Sequence, residues 1–454
     1  MGRRNVPVPQ RNDLMAGVSG VRGIVGSGMN PEIATRFTAA FASRMSGGLV
    51  VVGRDTRASG PLLASAVFTA LRFKGIDAID LGIASTPTVE IMVEELGADG
   101  GIIITASHNG PEWNALKFLD SRGEFLSGAD MDEVSKRALG PEPLFGKTET
   151  FGSLEANDTG DAVHIKRILE LARIDRAMIA ERGFRAVVDC VNGAGSRIMP
   201  ALLRSLGVEV VELFTDIDAP FPHDPEPRPQ NLVELSKAVV RERARIGFAC
   251  DPDGDRLVLV DETGAVLSEE LTLALAADFV LKKERGPLVA NLSTSRLIDD
   301  IGERYGVSVH RSKVGEAHVI ALMKEVHAAI GGEGNGGVIY PKLHYGRDAM
   351  TGVALVLQSL AEEGVSLSEK VAALPRYFIV KEKYPLRGDF ALVEKSLEKR
   401  FSGRITALDG MRIDMDLGWI HLRRSNTEPV VRIIAEARSL EEARNLAVEA
   451  GKLL

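Results

Sequence analysis

Cysteine is scarce: Cys190 and Cys250 are the only two in 454 residues. That is too few for a disulfide framework, so a reducing, cytoplasmic setting is the expectation. No stretch approaches the roughly 18 uninterrupted apolar residues of a membrane helix. Residues 1–14 carry Arg3, Arg4 and Arg11 with no apolar run behind them, unlike a secretory or twin-arginine leader. Surplus positive charge is also missing. Lys and Arg total 55 against 63 for Asp and Glu, a net charge of -8, which argues against nucleic acid or anionic membrane as partners. Nucleotide-binding glycine motifs are absent too. No Gly-x-Gly-x-x-Gly follows a strand, and five residues separate Gly140 from Gly146-Lys147-Thr148 where a P-loop requires four.

What is present is an ordinary globular composition, 45% hydrophobic and 26% charged. At roughly 100–200 residues per domain, the length allows two to four domains. A β-branched run, a polar or Gly-rich turn and an amphipathic helical stretch recur in order at Leu49–Arg57, Arg185–Gly195 and Pro287–Arg296. That alternation predicts α/β units with largely parallel sheets. The chain after about Ala373 differs, with strand-like runs at Tyr377–Lys381, Trp419–Arg423 and Pro429–Ala435. A closing helix is expected over Ser439–Leu454, with a Ser439/Glu442 capping box and a core face of Leu440, Ala443, Ala447 and Ala450. The division expected is 1–155, 156–254 and 255–372 for three α/β domains with mixed, largely parallel sheets, and 373–454 for an antiparallel α+β domain. The Pro-rich run Ala219–Pro229 falls inside the second domain and reads as a rigid loop.

The most informative segment is Asp251-Pro-Asp-Gly-Asp-Arg256, between two strand-like runs. Carboxylates at i, i+2 and i+4 of an extended or turning backbone point the same way. Converging, they repel one another unless a hard cation lies between them, and three protein ligands leave Mg²⁺ open positions for a phosphate. An EF-hand is disfavoured, because Gly254 stands at the fourth position where the sixth is needed, and strands flank the loop.

A second segment, Gly100–Gly110, places Ser107 just past a run of three isoleucines, at the strand end where open α/β sheets bind ligands. Neighbouring side chains on extended backbone face apart, so His108 is not expected to serve as base for Ser107. Lys117 follows in Trp113–Phe118. Gly331-Gly-Glu-Gly-Asn-Gly-Gly337 lets backbone approach a ligand and offers Glu333 and Asn335. Arg423-Arg-Ser-Asn-Thr-Glu-Pro429 supplies the donors of an oxyanion site. A cleft lined by all four segments would hold a phosphorylated, hydroxyl-rich ligand and suit phosphoryl transfer.

In these motifs, with Ser19–Gly23 and Gly53–Arg57, the chain resembles the α-D-phosphohexomutase superfamily, particularly its archaeal-type phosphoglucosamine mutases and phosphomannomutases. The resemblance spans nearly the whole length and implies four domains around a central cleft. It implies a phosphoserine at Ser107, a Mg²⁺ site of Asp251, Asp253 and Asp255 with the Ser107 phosphate, and Lys117 as general acid/base. By the same resemblance His108 and Arg22 line the reacting phosphate, and Arg256, Lys313, Glu316, Glu333 and Asn335 hold the sugar. Arg423, Ser425, Asn426 and Thr427 would clamp the distal phosphate. The implied reaction interconverts glucosamine 6-phosphate and glucosamine 1-phosphate through a hexose 1,6-bisphosphate, with small-molecule hexose phosphates as partners, no nucleic acid and no membrane. Lys117, near cations, is expected to have a depressed pKa. Many relatives have Pro at Gly110 and Gly at Ala115, and the bacterial branches commonly have His at Gly337. The rival readings are a phosphomannomutase/phosphoglucomutase, a metal-dependent phosphatase and a sugar-phosphate-binding protein without catalysis.

Overall fold

A computed structural model describes residues 13–17, 20–146, 150–385, 389–424 and 430–454. The β-branched runs form the centres of three sheets. The first has seven strands in the order Leu14–Gly17, Gly20–Ile24, Trp113–Leu119, Gly100–Ile104, Leu49–Arg54, Asp77–Ile83 and Leu154–Ala156. Its last four strands run parallel and the others antiparallel. The second sheet orders Leu257–Asp261, Ile246–Cys250, Arg185–Asp189 and Glu209–Leu213, and the third Val309–Ser312, Leu288–Asn291, Ile330–Glu333 and Gly337–Ile339. Each is parallel apart from one antiparallel hairpin. The fourth, five-stranded sheet is antiparallel throughout. The α/β class and the antiparallel C-terminal unit thus follow the sequence pattern.

Two divisions fall elsewhere than at the expected residues. Leu257–Asp261 pairs with Ile246–Cys250 as a hairpin of the second sheet, so that unit continues past 254. Apolar runs on either side of a short acidic turn satisfy their backbone groups most directly by bonding to each other. Ala156 closes a strand of the first sheet, one residue past the expected limit at 155. The second and third units also share one continuous apolar core, which includes Ile198, Leu202, Phe248, Leu273, Phe279, Val353 and Leu357. The closing helix runs Leu440–Gly451 with the Ser439/Glu442 capping box formed. Ala443, Ala447 and Ala450 are buried, whereas Leu440, in the first turn, is 40% exposed and lies outside the core face.

The C-terminal sheet docks on the third unit through polar contacts. Arg296 N donates across the seam to Glu436 at 2.9 Å, a carboxylate also held by Trp419 Nε1 of the same C-terminal sheet at 2.6 Å, and Ser293 bonds His421 Nδ1 at 3.0 Å. At this seam Glu270 is buried directly beneath the glycine-rich loop. A Cβ at Gly334 would come within 1.9 Å of its carboxylate, a close approach only glycine permits. One Glu270 oxygen accepts from Ser295 N at 2.9 Å; the other has no hydrogen-bond partner among the described residues, and Lys381 Nζ stops 3.6 Å from it. Burial pushes the Glu270 carboxyl up to about 8; Lys381 opposes the push, and Glu269 and Glu436 add to it. A carboxyl whose folded pKa exceeds its unfolded value binds more protons in the fold. Its stabilising contribution is therefore full below about 4.5 and is lost as pH rises toward about 8. Glu270→Gln is expected to flatten the fall in melting temperature across that interval; a slope identical to the unsubstituted protein's contradicts this.

Candidate active site

The C-terminal ends of the central parallel strands in all three sheets carry the polar residues singled out in the sequence, as open α/β sheets favour. Gly100–Ile104 leads to Ser107, Ile246–Cys250 to Asp251, and Ile330–Glu333 ends on Glu333. The acidic loop lies among these ends. Its successive carbonyls are held by three different units: Pro252 O accepts from Ala194 N at 2.7 Å, Asp253 O from Thr86 N at 2.8 Å, and Gly254 O from Ala349 N at 3.2 Å. Gly254, at φ +69°, turns the chain so that Asp251, Asp253 and Asp255 converge, with a carboxylate oxygen from each within 4.8 Å of the others.

All three carboxylates are buried, and Ser107 reaches them from the first unit: its Oγ donates to Asp251 Oδ2 at 2.7 Å. Lys117 Nζ bonds Asp253 Oδ2 at 2.6 Å and lies 3.8 Å from Asp255. Thr86 Oγ1 donates to Asp253 at 2.7 Å, and Arg347 Nη2 donates to Asp255. Asp253 Oδ1 and Asp255 Oδ1, both buried, have no hydrogen-bond partner among the described residues. Hard anionic oxygens left unpaired at a point of convergence are the donor set of a divalent cation such as Mg²⁺, so these residues fit the expected ion. Burial and the two neighbouring aspartates push the Asp251 carboxyl well up; for Asp253, burial pushes up as well, but Lys117 and the hydrogen bonds from Asp251 and Thr86 together take the carboxyl down.

Two expectations about side-chain chemistry need correction. With Asp253 and Asp255 as its contacts, Lys117 does not show the depressed pKa expected beside Mg²⁺ and other cations. Burial acts in that direction, but contact with Asp253 and Asp255 outweighs it and raises the ammonium pKa. His108 does not face away from Ser107 either. Ser107 takes a left-handed φ of 50° instead of extending the strand, and this brings Oγ to 3.4 Å from His108 Nδ1. Burial, then Arg256 and Arg22, push the His108 imidazole well down, so it is neutral.

The unusual Ser107 backbone is held from below by residues the sequence reading left without a role. Ser107 N donates to Thr105 Oγ1 at 3.0 Å, and Thr105 in turn donates to Asp55 at 2.6 Å. Arg57, buried, gives Nε to Asp55 and its two terminal nitrogens to the carbonyls of Ser107, Asn109, Gly110 and Trp113. The quoted motif Gly53–Arg57 was the available signal. Thr86 and Arg347 had none, because each stands in an unremarkable helix-start sequence.

The remaining residues divide. Arg22 donates to the Asn109 side chain beside the serine loop, its pKa lowered to about 10 by burial and then by Arg256. Arg256 Nε is 3.6 Å from Asp255. Glu333 accepts from Asn291 at 2.7 Å, Gly315 N at 3.0 Å, Arg347 at 2.9 Å and Asn335 at 3.3 Å. Arg347 N and Nε also occupy both oxygens of Glu316, at 2.7 and 3.0 Å. One guanidinium thus joins the acidic loop to the glycine-rich loop. Lys313 stays exposed beyond the end of Val309–Ser312. Arg423, buried near the end of Gly418–Arg424, has Nε 3.5 Å from Asp409. Ser425, Asn426 and Thr427 lie outside the described residues.

Comparison with known proteins agrees with this geometry. Family models match four consecutive segments: phosphoglucomutase/phosphomannomutase alpha/beta/alpha domain I at residues 13–142, domain II at 162–264, domain III at 268–378, and the C-terminal domain at 369–452. A Methanopyrus kandleri protein named "Probable phosphoglucosamine mutase" is 38% identical over 441 residues, 95% of this chain and 96% of its own length. The Thermococcus kodakarensis protein named "Phosphoglucomutase/phosphomannomutase" is 39% identical over 453 residues, 96% of this chain and 98% of its own. The crystal structure of a phosphoglucomutase/phosphomannomutase family protein from Burkholderia thailandensis superposes with a TM-score of 0.84 at 29% identity, covering 98% of each chain. A serine and an acidic trio meeting across separate α/β units, with four family segments in order, make the chain a phosphohexomutase belonging to the phosphoglucomutase/phosphomannomutase family.

Proposed function

We propose that this phosphohexomutase interconverts glucosamine 6-phosphate and glucosamine 1-phosphate, using Ser107 as the phosphoryl carrier and a hexose 1,6-bisphosphate as the intermediate. The observation that carries the carrier role is the 2.7 Å contact between Ser107 Oγ and Asp251, made across two units of the fold. A hydroxyl of no special function has no reason to be held in a left-handed backbone against three converging carboxylates.

Asp251, Asp253 and Asp255 would hold Mg²⁺, which when bound offsets charge on the transferred phosphoryl group and on the serine oxygen. The protein's own groups supply the rest. With Mg²⁺ on Asp253 and Asp255, the contacts that keep Lys117 protonated would be withdrawn, and Nζ as the free amine would take the proton of the attacking hexose hydroxyl in one half of the cycle and return it to the departing hexose oxygen in the other. His108, neutral, and Arg22 line the phosphoryl path. Glu333, its orientation fixed by Arg347 and Asn291, accepts from sugar hydroxyls beside Asn335, with Arg256 and Lys313 at the rim of the same pocket. Glu316 acts on that pocket through Arg347. Arg423, with Ser425, Asn426 and Thr427, takes the phosphate that is not reacting. The bisphosphate then turns over in the cleft, so the same clamp receives either phosphate in turn.

The choice of glucosamine rests on the Gly331–Gly337 loop and on relatives named as phosphoglucosamine mutases, such as the Methanopyrus protein. The similarity to a Thermococcus protein named for glucose and mannose phosphates keeps phosphomannomutase/phosphoglucomutase as the second reading. Both cysteines are free thiols, in keeping with a cytoplasmic location, and among the described residues no helix is long and apolar enough to cross a membrane.

Three measurements test this. Ser107→Ala should lower isomerisation by roughly 10³-fold or more while keeping the circular dichroism spectrum, and the phosphoryl group expected by mass spectrometry on the Ser107 peptide of the active protein should be missing from the variant; normal turnover by the variant refutes the carrier role. Chelation of divalent ions should stop isomerisation and added Mg²⁺ restore it; full activity in excess chelator refutes the metal assignment. Across glucosamine, glucose and mannose 6-phosphates, kcat/KM should favour glucosamine by about tenfold or more, and an equal or reversed preference moves the enzyme to the second reading.

A further inference from the structure

The Pro-rich run 219–229 takes no part in the chemistry above, yet it is fixed at two points. Asn192, in the turn after Arg185–Asp189, donates from Nδ2 to Pro220 O at 2.8 Å and accepts from Asp216 N at 3.0 Å. His223 bridges Asp189 Oδ2 at 3.1 Å and Asp224 O at 2.8 Å, and its ring meets Phe214 edge-on with centroids 5.6 Å apart. Between these pins Phe221 crosses to the first unit, where its ring centre lies 5.1 Å from the guanidinium carbon of Arg57.

Arg57 has five N–H groups, and every one is committed. Nε donates to Asp55 at 2.9 Å, Nη1 to Gly110 O and Trp113 O at 2.5 and 3.2 Å, and Nη2 to Ser107 O and Asn109 O at 2.6 and 2.7 Å. With its edge saturated, the guanidinium can take a further contact only on its faces, and Phe221 meets it there as a cation–π partner. The turn that pins the loop supports the metal loop as well, because Ala194 N donates to Pro252 O at 2.7 Å. One turn of the second unit therefore backs the acidic trio and, through the Pro-rich loop, the anchor of Ser107.

We infer that the Pro-rich loop is a positioning element for phosphoryl transfer, with Phe221 acting through Arg57 to keep Ser107 aligned on Asp251. The inference rests on the carrier role proposed for Ser107. Ser107 keeps its left-handed backbone because four loop carbonyls are fixed by a single guanidinium. A tilt of that group displaces Oγ from the acidic trio, and a displacement of about 1 Å at a reacting atom costs on the order of 10²-fold in rate. Glu333, Asn335 and Arg423, proposed to hold the sugar and the distal phosphate, stand in the third and fourth units and do not feel the change.

The test uses the full chain with Mg²⁺, comparing Phe221→Leu, which keeps apolar bulk but loses the π face, with Phe221→Tyr, which keeps it. The rate of phosphoryl transfer from glucose 1,6-bisphosphate to Ser107, followed by intact mass, should fall about tenfold in the leucine variant, and kcat should fall with it. KM for the hexose phosphate and the melting temperature should stay unchanged, and the tyrosine variant should behave as the unsubstituted protein does. Transfer at the unsubstituted rate by Phe221→Leu overturns the inference. So does loss of the fold in that variant, or failure of tyrosine to preserve transfer, since either makes Phe221 a packing residue only. If the unsubstituted protein itself gains no phosphoryl group on Ser107, the carrier assignment fails; if it does and Phe221→Leu keeps pace, only the role of Phe221 fails.

Discussion

Burying three aspartates within a few ångströms of one another is the constraint on which this molecule depends. Leaving one charge of such a set uncompensated costs about 3–5 kcal/mol, so the surroundings must answer each carboxylate. Lys117 and Thr86 answer Asp253, Arg347 answers Asp255, and the Ser107 hydroxyl answers Asp251. These partners come from the first and third units, while the loop belongs to the second. The loop's backbone repeats the pattern, with carbonyls 252, 253 and 254 bonded by the second, first and third units in turn. The acidic loop is thus both a ligand set and the joint that fixes three sheets to one another.

The same joint explains how chemistry can be shared among units without being loose. The central parallel strands of each sheet end toward the loop, and the polar residues beyond those ends are tied into a second layer before any ligand arrives. Arg57 organises the serine loop, and Arg347 links Asp255, Glu316 and Glu333. Both are arginines, whose planar fork of donors fixes several acceptors at once in a way a lysine cannot. Such prior ordering is what phosphoryl transfer needs, because positioning and electrostatic stabilisation carry most of the catalysis.

Much of this was legible beforehand. The β-branched runs ending in polar turns marked the parallel strands, and Asp251, Asp253 and Asp255 could be read as converging because alternate residues share a face. The seam between the second and third units was misplaced because Leu257–Asp261 is as apolar as the strands around it, and its partner is chosen by hydrogen bonding across the turn. The Lys117 and His108 expectations failed for a related reason. Each relied on a local rule, burial beside cations for one and extended backbone for the other. The outcome was set by Asp253, 136 residues away from Lys117, and by a left-handed φ at Ser107.

The sequence by itself determined the element types, the α/β class, the antiparallel last unit and the residues with the right chemistry, because periodicity, turn composition and functional groups are properties of neighbours along the chain. Only the tertiary structure decided which groups meet, which carboxylate oxygens are left for a cation, what Arg57 and Arg347 hold, and on which side of its ordinary value each buried pKa falls. Those outcomes depend on distances of a few ångströms between residues separated by as many as 167 positions, and Coulomb and hydrogen-bond energies vary steeply over such distances in a buried setting.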